Sequence, residues 1–138
     1  MRAVLDPNVL ISALLSPSGA PAQLLRAWQQ GRFELIVSTH VLQELRRALG
    51  YQKLRRRIAP EEAADFAGWL TQTAETVRDP ASPPTTRSAD PGDDYLLALA
   101  EQERAALVSG DDHLLALAAD VPVFAPAAFL RLLDEGQA

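Results

Sequence analysis

Short apolar runs that each stop at a small polar or acidic residue, with a helix-starting signal directly behind, restrict the fold of this chain most. RAVLD, residues 2–6, ends at Asp6 and is followed by Pro7, whose fixed φ suits the first turn of a helix continuing through NVLISALL. RFELIVS, 32–38, ends at Ser38, and Ser38 or Thr39 can cap a helix in which Val41, Leu42, Leu45, Ala48 and Leu49 recur at helical spacing. AALVS, 105–109, ends at Ser109 ahead of a helix expected over 111–119. AETVRD, 74–79, and VPVFA, 121–125, are two further candidate strands. Helices are expected over 21–30, briefly over YQKLRRRI, from Pro60 with Ala63, Phe66, Ala67, Leu70 and Ala74 on one face, over 93–104, and from Pro126 onward. Such alternation predicts an α/β fold: three α/β/α layers around a mainly parallel, about five-stranded central sheet. Ligands in sheets of this kind bind beyond the carboxyl ends of the strands.

The chain has 138 residues, enough for one domain with a real core, and a single domain over 1–138 is expected. The Pro-rich stretch PASPPTTRSADPG, 80–92, reads as a loop and not a linker, because too little chain follows it for a second core. There are no cysteines and two histidines, His40 and His113, which removes disulfides and argues against a zinc centre. No apolar run reaches the length of a membrane span and no signal-peptide pattern opens the sequence, so a soluble cytoplasmic protein is expected.

The net charge of −5 argues against simple electrostatic attraction to nucleic acid, but it is unevenly spread. Residues 1–58 carry nine basic and three acidic side chains, whereas residues 88–138 carry two and ten. Six of the thirteen cations fall in one segment: Arg46, Arg47, Lys53, Arg55, Arg56 and Arg57. This is either a solvated helix face or a phosphate-contacting patch beside an acidic site.

The acids occupy corresponding places. Asp6 ends the first strand, Glu44 sits in the second turn of the helix after the second, Asp93 and Asp94 open the helix after the Pro-rich loop, and Asp111 and Asp112 follow the fourth strand. Singly, each has an ordinary explanation as a helix cap, a first-turn acid or an exposed helix residue. Together, on one edge of a parallel sheet, acids from four distant segments would repel unless a cation sat among them. Oxygen-only ligands suit Mg²⁺ or Mn²⁺ better than Zn²⁺.

At these residues the sequence resembles a known family. VLDPNVLISALL at 4–15, the Ser38–Leu45 block with its glutamate, DPGDDYLLALA at 90–100 and LVSGDDHLL at 107–115 look like the four signature blocks of PIN-domain nucleases, in the family's order and over nearly the whole chain. The branch most similar is that of the toxins of toxin–antitoxin systems. The resemblance implies a metal-dependent endoribonuclease using one or two Mg²⁺ or Mn²⁺ ions. It places Asp6, Glu44, Asp94 and Asp111 as metal ligands and catalytic acids, with Asp93 as the alternative to Asp94. Asn8, Ser12 and Ser109 take supporting roles, and the segment from Arg46 to Arg57 would grip RNA. An RNA substrate, a cognate antitoxin protein and a homodimer are the partners it implies. Two positions depart from the family pattern. Pro7 lacks the hydroxyl or small side chain usual after the first aspartate, and Gly92 stands where an acid is frequent.

Other readings fit less well. A phosphoacceptor receiver domain needs a lysine near its fifth strand, and the only lysine is Lys53. A haloacid-dehalogenase-type phosphatase needs an aspartate where Asn8 stands. Two rivals remain open: a PIN-like module that binds RNA or protein without cutting, and a housekeeping RNA-processing nuclease.

Overall fold

The computed structural model describes residues 1–136; the last two residues of the expected 1–138 domain, Gln137 and Ala138, lie outside the described residues. Five strands, β1 (Arg2–Leu5), β2 (Glu34–Val37), β3 (Glu75–Thr76), β4 (Ala106–Val108) and β5 (Val123–Phe124), form one sheet in the order β3-β2-β1-β4-β5. Every pairing is parallel. The helices between them are α1 (Pro7–Leu15), α2 (Ala20–Gln29), α3 (Thr39–Leu49), α4 (Gln52–Arg55), α5 (Pro60–Thr73), α6 (Asp94–Glu103), α7 (Asp112–Leu115) and α8 (Pro126–Gly136). A 3₁₀ turn, Pro91–Asp93, leads into α6.

Alternation along the strands sorts the core onto two faces. Ala3, Leu5, Leu35, Val37 and Val108 point into a cluster shared with α1, α2, α3, α5 and α8, where Phe129 packs edge-on against Phe33 with ring centroids 5.4 Å apart. Val4, Ile36 and Leu107 point the other way, into a smaller cluster with Leu96, Leu97 and Leu99 of α6 and Leu114 of α7. Both faces are covered, as a parallel sheet requires.

Caps and turns agree with the sequence. Pro7 stands at the first helical position, where a missing N–H costs nothing, and the next N–H, that of Asn8, donates to Asp6. The Ser38 hydroxyl accepts from Val41 N–H at the start of α3. Gly31 takes φ +76 in the turn that sends the chain from α2 into β2. The strands are shorter than the apolar runs suggested, because β3 and β5 pair over only two residues each at the sheet edges. The helix expected over 111–119 is a single turn followed by 3₁₀-like turns. Leu114 is fully buried, but Ala116, Ala118 and Ala119 are exposed, so no continuous apolar face holds the segment helical. Among the described residues no helix is long and apolar enough to cross a membrane.

Candidate metal centre

The strand order reverses about β1: β2 lies on one side and β4 on the other. Leu5 pairs with Val108, so the next residues, Asp6 and Ser109, emerge side by side at the carboxyl edge, and Asp6 N–H donates to Val108 O at 2.9 Å. This is the switch point where ligands of open α/β sheets bind.

Asp6 is only 5% exposed. Its Oδ1 accepts the Asn8 N–H at 2.9 Å, and its Oδ2 accepts the Ser109 hydroxyl at 2.8 Å. Burial pushes its pKa up, the hydrogen bonds from Asn8 and Ser109 oppose that, and the neighbouring charge of Asp111 adds to the rise, which prevails. Ser109 is fully buried and acts as a tie: its hydroxyl donates to Asp6 while its oxygen accepts the Asp111 N–H at 3.0 Å. Asp111 in turn caps α7 through the His113 N–H at 2.8 Å. Asp6 and Asp111 open into a cleft of about 420 Å³ together with Asn8 and Ser12 of α1. Four of the sequence-predicted positions thus line one cleft, with Ser109 fixed beneath two of them.

The third acid differs in orientation from the first expectation. Asp94 Oδ1 accepts the Ser88 N–H at 2.9 Å and Oδ2 faces Arg87 at 3.4 Å, so Asp94 holds the end of the Pro-rich loop. Asp93, the alternative, joins the cluster. Its carboxyl is pushed up to about 6 by burial, then by the charges of Asp111, Asp90 and Asp6 and by a proton-sharing contact with the Asp111 carboxyl, and among the described residues no donor reaches its buried Oδ2. The 3₁₀ turn at Pro91–Asp93 sets this difference, because successive residues of a helical turn point about 100° apart. Asp90 caps that turn through the Gly92 N–H at 3.0 Å. Donor atoms of Asp90, Asp93 and His113 all lie within 4.8 Å of one another, so two residues given no ligand role from sequence stand at the same centre.

Glu44 is half-buried on α3, 2.9 Å from Arg47 and 3.9 Å from His40. The phenol of Tyr95 is pushed up by burial and then by the charges of Asp6, Glu44 and Asp93. Sequence reasoning passed over Tyr95 as part of an apolar helix; its position directly after the paired aspartates was the available signal. The side chains of the basic segment have different surroundings, with Arg46 and Arg55 lining one pocket. Arg47 pairs with Glu44, Arg46 donates to Thr71 on α5, Arg57 donates to the Leu15 carbonyl, and Lys53, Arg55 and Arg56 are exposed.

These residues fit a divalent cation. The buried Asp93 oxygen, with the carboxylates of Asp6 and Asp111, offers hard oxygen donors that no lysine or arginine pairs with among the described residues; His113, 3.7 Å from Asp111, adds an imidazole nitrogen.

The comparisons agree with this architecture. Residues 2–113 match the PIN domain family, and the chain belongs to it. PIN domains are generally metal-dependent nucleases that act on nucleic acid, so a hydrolase acting on phosphodiester bonds is the class that the fold and site define. The fold is similar to that of PAE2754 from Pyrobaculum aerophilum, a crystal structure with a TM-score of 0.69, 16% identity, and coverage of 98% of this chain and 90% of that one. Among curated proteins none matches the sequence.

Proposed function

We propose that this protein is a metal-dependent endoribonuclease and the toxin of a toxin–antitoxin pair, working with Mg²⁺ or Mn²⁺ held by Asp6, Glu44, Asp93 and Asp111. The observation that carries the reading is the unpartnered, buried Asp93 Oδ2 beside Asp6 and Asp111 at the carboxyl edge of β1 and β4. When bound, a divalent cation lowers the pKa of water and offsets charge on the phosphodiester.

The chain's own groups prepare the site. Asn8 N–H and the Ser109 hydroxyl fix both oxygens of Asp6 in orientation, and Ser109 couples Asp6 to Asp111 through the Asp111 N–H. Asn8 and Ser12 line the cleft with polar atoms along which a sugar–phosphate chain can pass. Arg47, paired with Glu44 at the rim, is the cation best placed to meet the substrate phosphate. Hydrolysis then adds water across one P–O bond, the phosphorus taking the new oxygen and the leaving sugar oxygen taking a proton.

Asp6→Asn keeps a helix cap and a hydrogen-bonding carbonyl while removing the charge. It is expected to lower Mg²⁺- or Mn²⁺-dependent cleavage of single-stranded RNA by 100-fold or more, as order-of-magnitude loss of a charged ligand. The same substitution should abolish growth arrest on expression, and a co-expressed neighbouring small protein should relieve arrest by the unaltered chain. Undiminished cleavage by Asp6→Asn overturns the catalytic assignment. Cleavage without growth arrest overturns the toxin role and leaves a processing nuclease.

A further inference from the structure

Next to the carboxylates, on the α6 side, lies a second pocket of about 280 Å³ that none of the chemistry above uses. The His40 imidazole and Tyr95 phenol stack on one another there, with centroids 4.1 Å apart and planes 24° from parallel. The opposite wall is the Pro-rich loop, including Pro80, Ser82 and Pro83, with Asp79 at one end. We propose that this pocket binds a nucleobase of a single strand whose scissile phosphate lies at Asp6, Asp93 and Asp111, with the His40–Tyr95 stack as its platform. This rests on the nuclease reading of the neighbouring site.

The shape comes first. A volume of about 280 Å³ falls just below the usual small-molecule range of about 300–1,000 Å³ and suits one planar heterocycle. The His40 side chain is 46% exposed although it stacks on Tyr95, so the ring still has surface to offer an incoming aromatic. Aromatic faces of this kind hold bases of any sequence by stacking.

Charge decides what enters. The lining has no lysine or arginine and carries two carboxylates, Asp79 and Asp94, which repel a phosphate. Asp94 is engaged with Ser88 and Arg87. Asp79 Oδ2 accepts the His40 N–H at 3.2 Å, and its second oxygen is left to accept from a ligand. An acceptor at the rim can take an N–H donor from a base edge, an exocyclic amine of adenine, guanine or cytosine or the N3–H of uracil.

The pocket is also preformed, which lowers the cost of binding. Glu101 on α6 accepts the Thr85 N–H at 2.8 Å and the Thr85 hydroxyl as well. Gln102 donates to the Arg78 carbonyl at 2.8 Å. Asp94 pins Ser88, and Pro84 is buried. The connection to the cutting site is His40 and Tyr95 themselves: His40 Nε2 lies 3.9 Å from Glu44, and Tyr95, stacked on His40, follows Asp93 and Asp94 in the chain. A base held here therefore belongs to a nucleotide adjoining the scissile bond.

The test uses the full chain and short single-stranded RNAs carrying 2-aminopurine at successive positions, read in EDTA so that binding is separated from cutting. Stacking should quench the probe at one position only. His40→Leu, which keeps bulk but removes the π-face, should abolish that quenching and weaken binding about tenfold. Asp79→Asn, which can still accept the backbone His40 N–H but loses the second acceptor oxygen, should raise KM for RNA about five- to tenfold while kcat changes much less. Quenching equal at every position, or unaffected by His40→Leu, overturns the pocket even if the protein cleaves RNA. Position-specific quenching that depends on His40, in a protein that cleaves nothing with Mg²⁺ or Mn²⁺, sustains the pocket and overturns the nuclease reading instead.

Discussion

Two pairs of adjacent aspartates stand at this edge, and the members of each pair have different surroundings. Asp111 is half-buried, tied through its N–H to Ser109, and faces Asp93, whereas Asp112 is exposed in the first turn of α7 where the helix end favours an anion. Asp111→Asn retains a good cap and should leave the fold intact while lowering RNA cleavage by 100-fold or more, an order of magnitude appropriate to a lost ligand charge. Asp112→Asn should stay within about twofold of the unaltered enzyme, as exposed positions do. Initial-rate measurements with Mn²⁺ decide it, and equal losses in both variants would mean that the pair is wrongly divided. The other pair shows what a sequence can hide. Asp93 and Asp94 are chemically identical neighbours, and only the 3₁₀ turn at Pro91–Asp93 sends one toward Asp6 and the other toward Ser88. Asp6, Ser109 and Asp111 were legible because each ends a strand or starts a helix at the same edge. His113, Asp90 and Tyr95 were not, since their nearness to the cluster depends on how a loop and a helix pack.

The connecting elements were read with uneven success for a physical reason. Apolar runs announce strands, and Pro7, Ser38, Pro60 and Pro126 announce helix starts by local geometry, so their existence and order follow from sequence. The order of strands in the sheet depends on pairing across long separations, and nothing local encodes it. The Pro-rich segment is the clearest case. Its composition says loop, yet it is fastened at two places, by Glu101 to Thr85 and by Asp94 to Ser88, with Gln102 holding the Arg78 carbonyl just before it. The Thr85 hydroxyl and N–H hold the Glu101 carboxyl below its ordinary pKa range. Glu101→Gln removes the charge from both bonds while keeping one acceptor oxygen. Amide hydrogen exchange should then accelerate several-fold at Thr85 and its neighbours, with the global melting temperature unchanged within about 1–2 °C, because an exposed contact governs local opening and not the core. Unchanged exchange at Thr85 would show that the loop is held by its prolines alone.

Opposite edges of the sheet treat their acids differently. At the amino edge Arg2 donates to Glu103 and Glu75 at 3.1 Å each and approaches Glu34 at 3.6 Å, so three carboxylates from three segments share one guanidinium. At the carboxyl edge Asp6, Asp90, Asp93 and Asp111 crowd together without a guanidinium among the described residues, whereas Glu44 and Asp94 beside them have Arg47 and Arg87. Folding must therefore work against repulsion at that edge, and the consequence is a dependence on pH and on cations. The Asp93 carboxyl is raised from the ordinary 3.8 to about 6, so between those values the native protein holds a proton that the unfolded chain releases. The stability linked to that proton is complete below about 4 and is lost as pH rises through about 6. In EDTA the melting temperature should accordingly carry a component that falls between pH 4 and pH 6, and Asp93→Asn should remove it, melting a few degrees higher than the unaltered protein at pH 7 by the usual scaling of about 3–5 °C per kcal/mol. Addition of Mn²⁺ at pH 7 should raise the melting temperature of the unaltered protein by mass action, and that of Asp93→Asn by much less. A melting temperature insensitive to Mn²⁺, or equal shifts in the two proteins, would mean that Asp93 is not where the cation binds. A shift confined to the unaltered chain would identify the repulsion at this edge as the cost that the fold carries for its site.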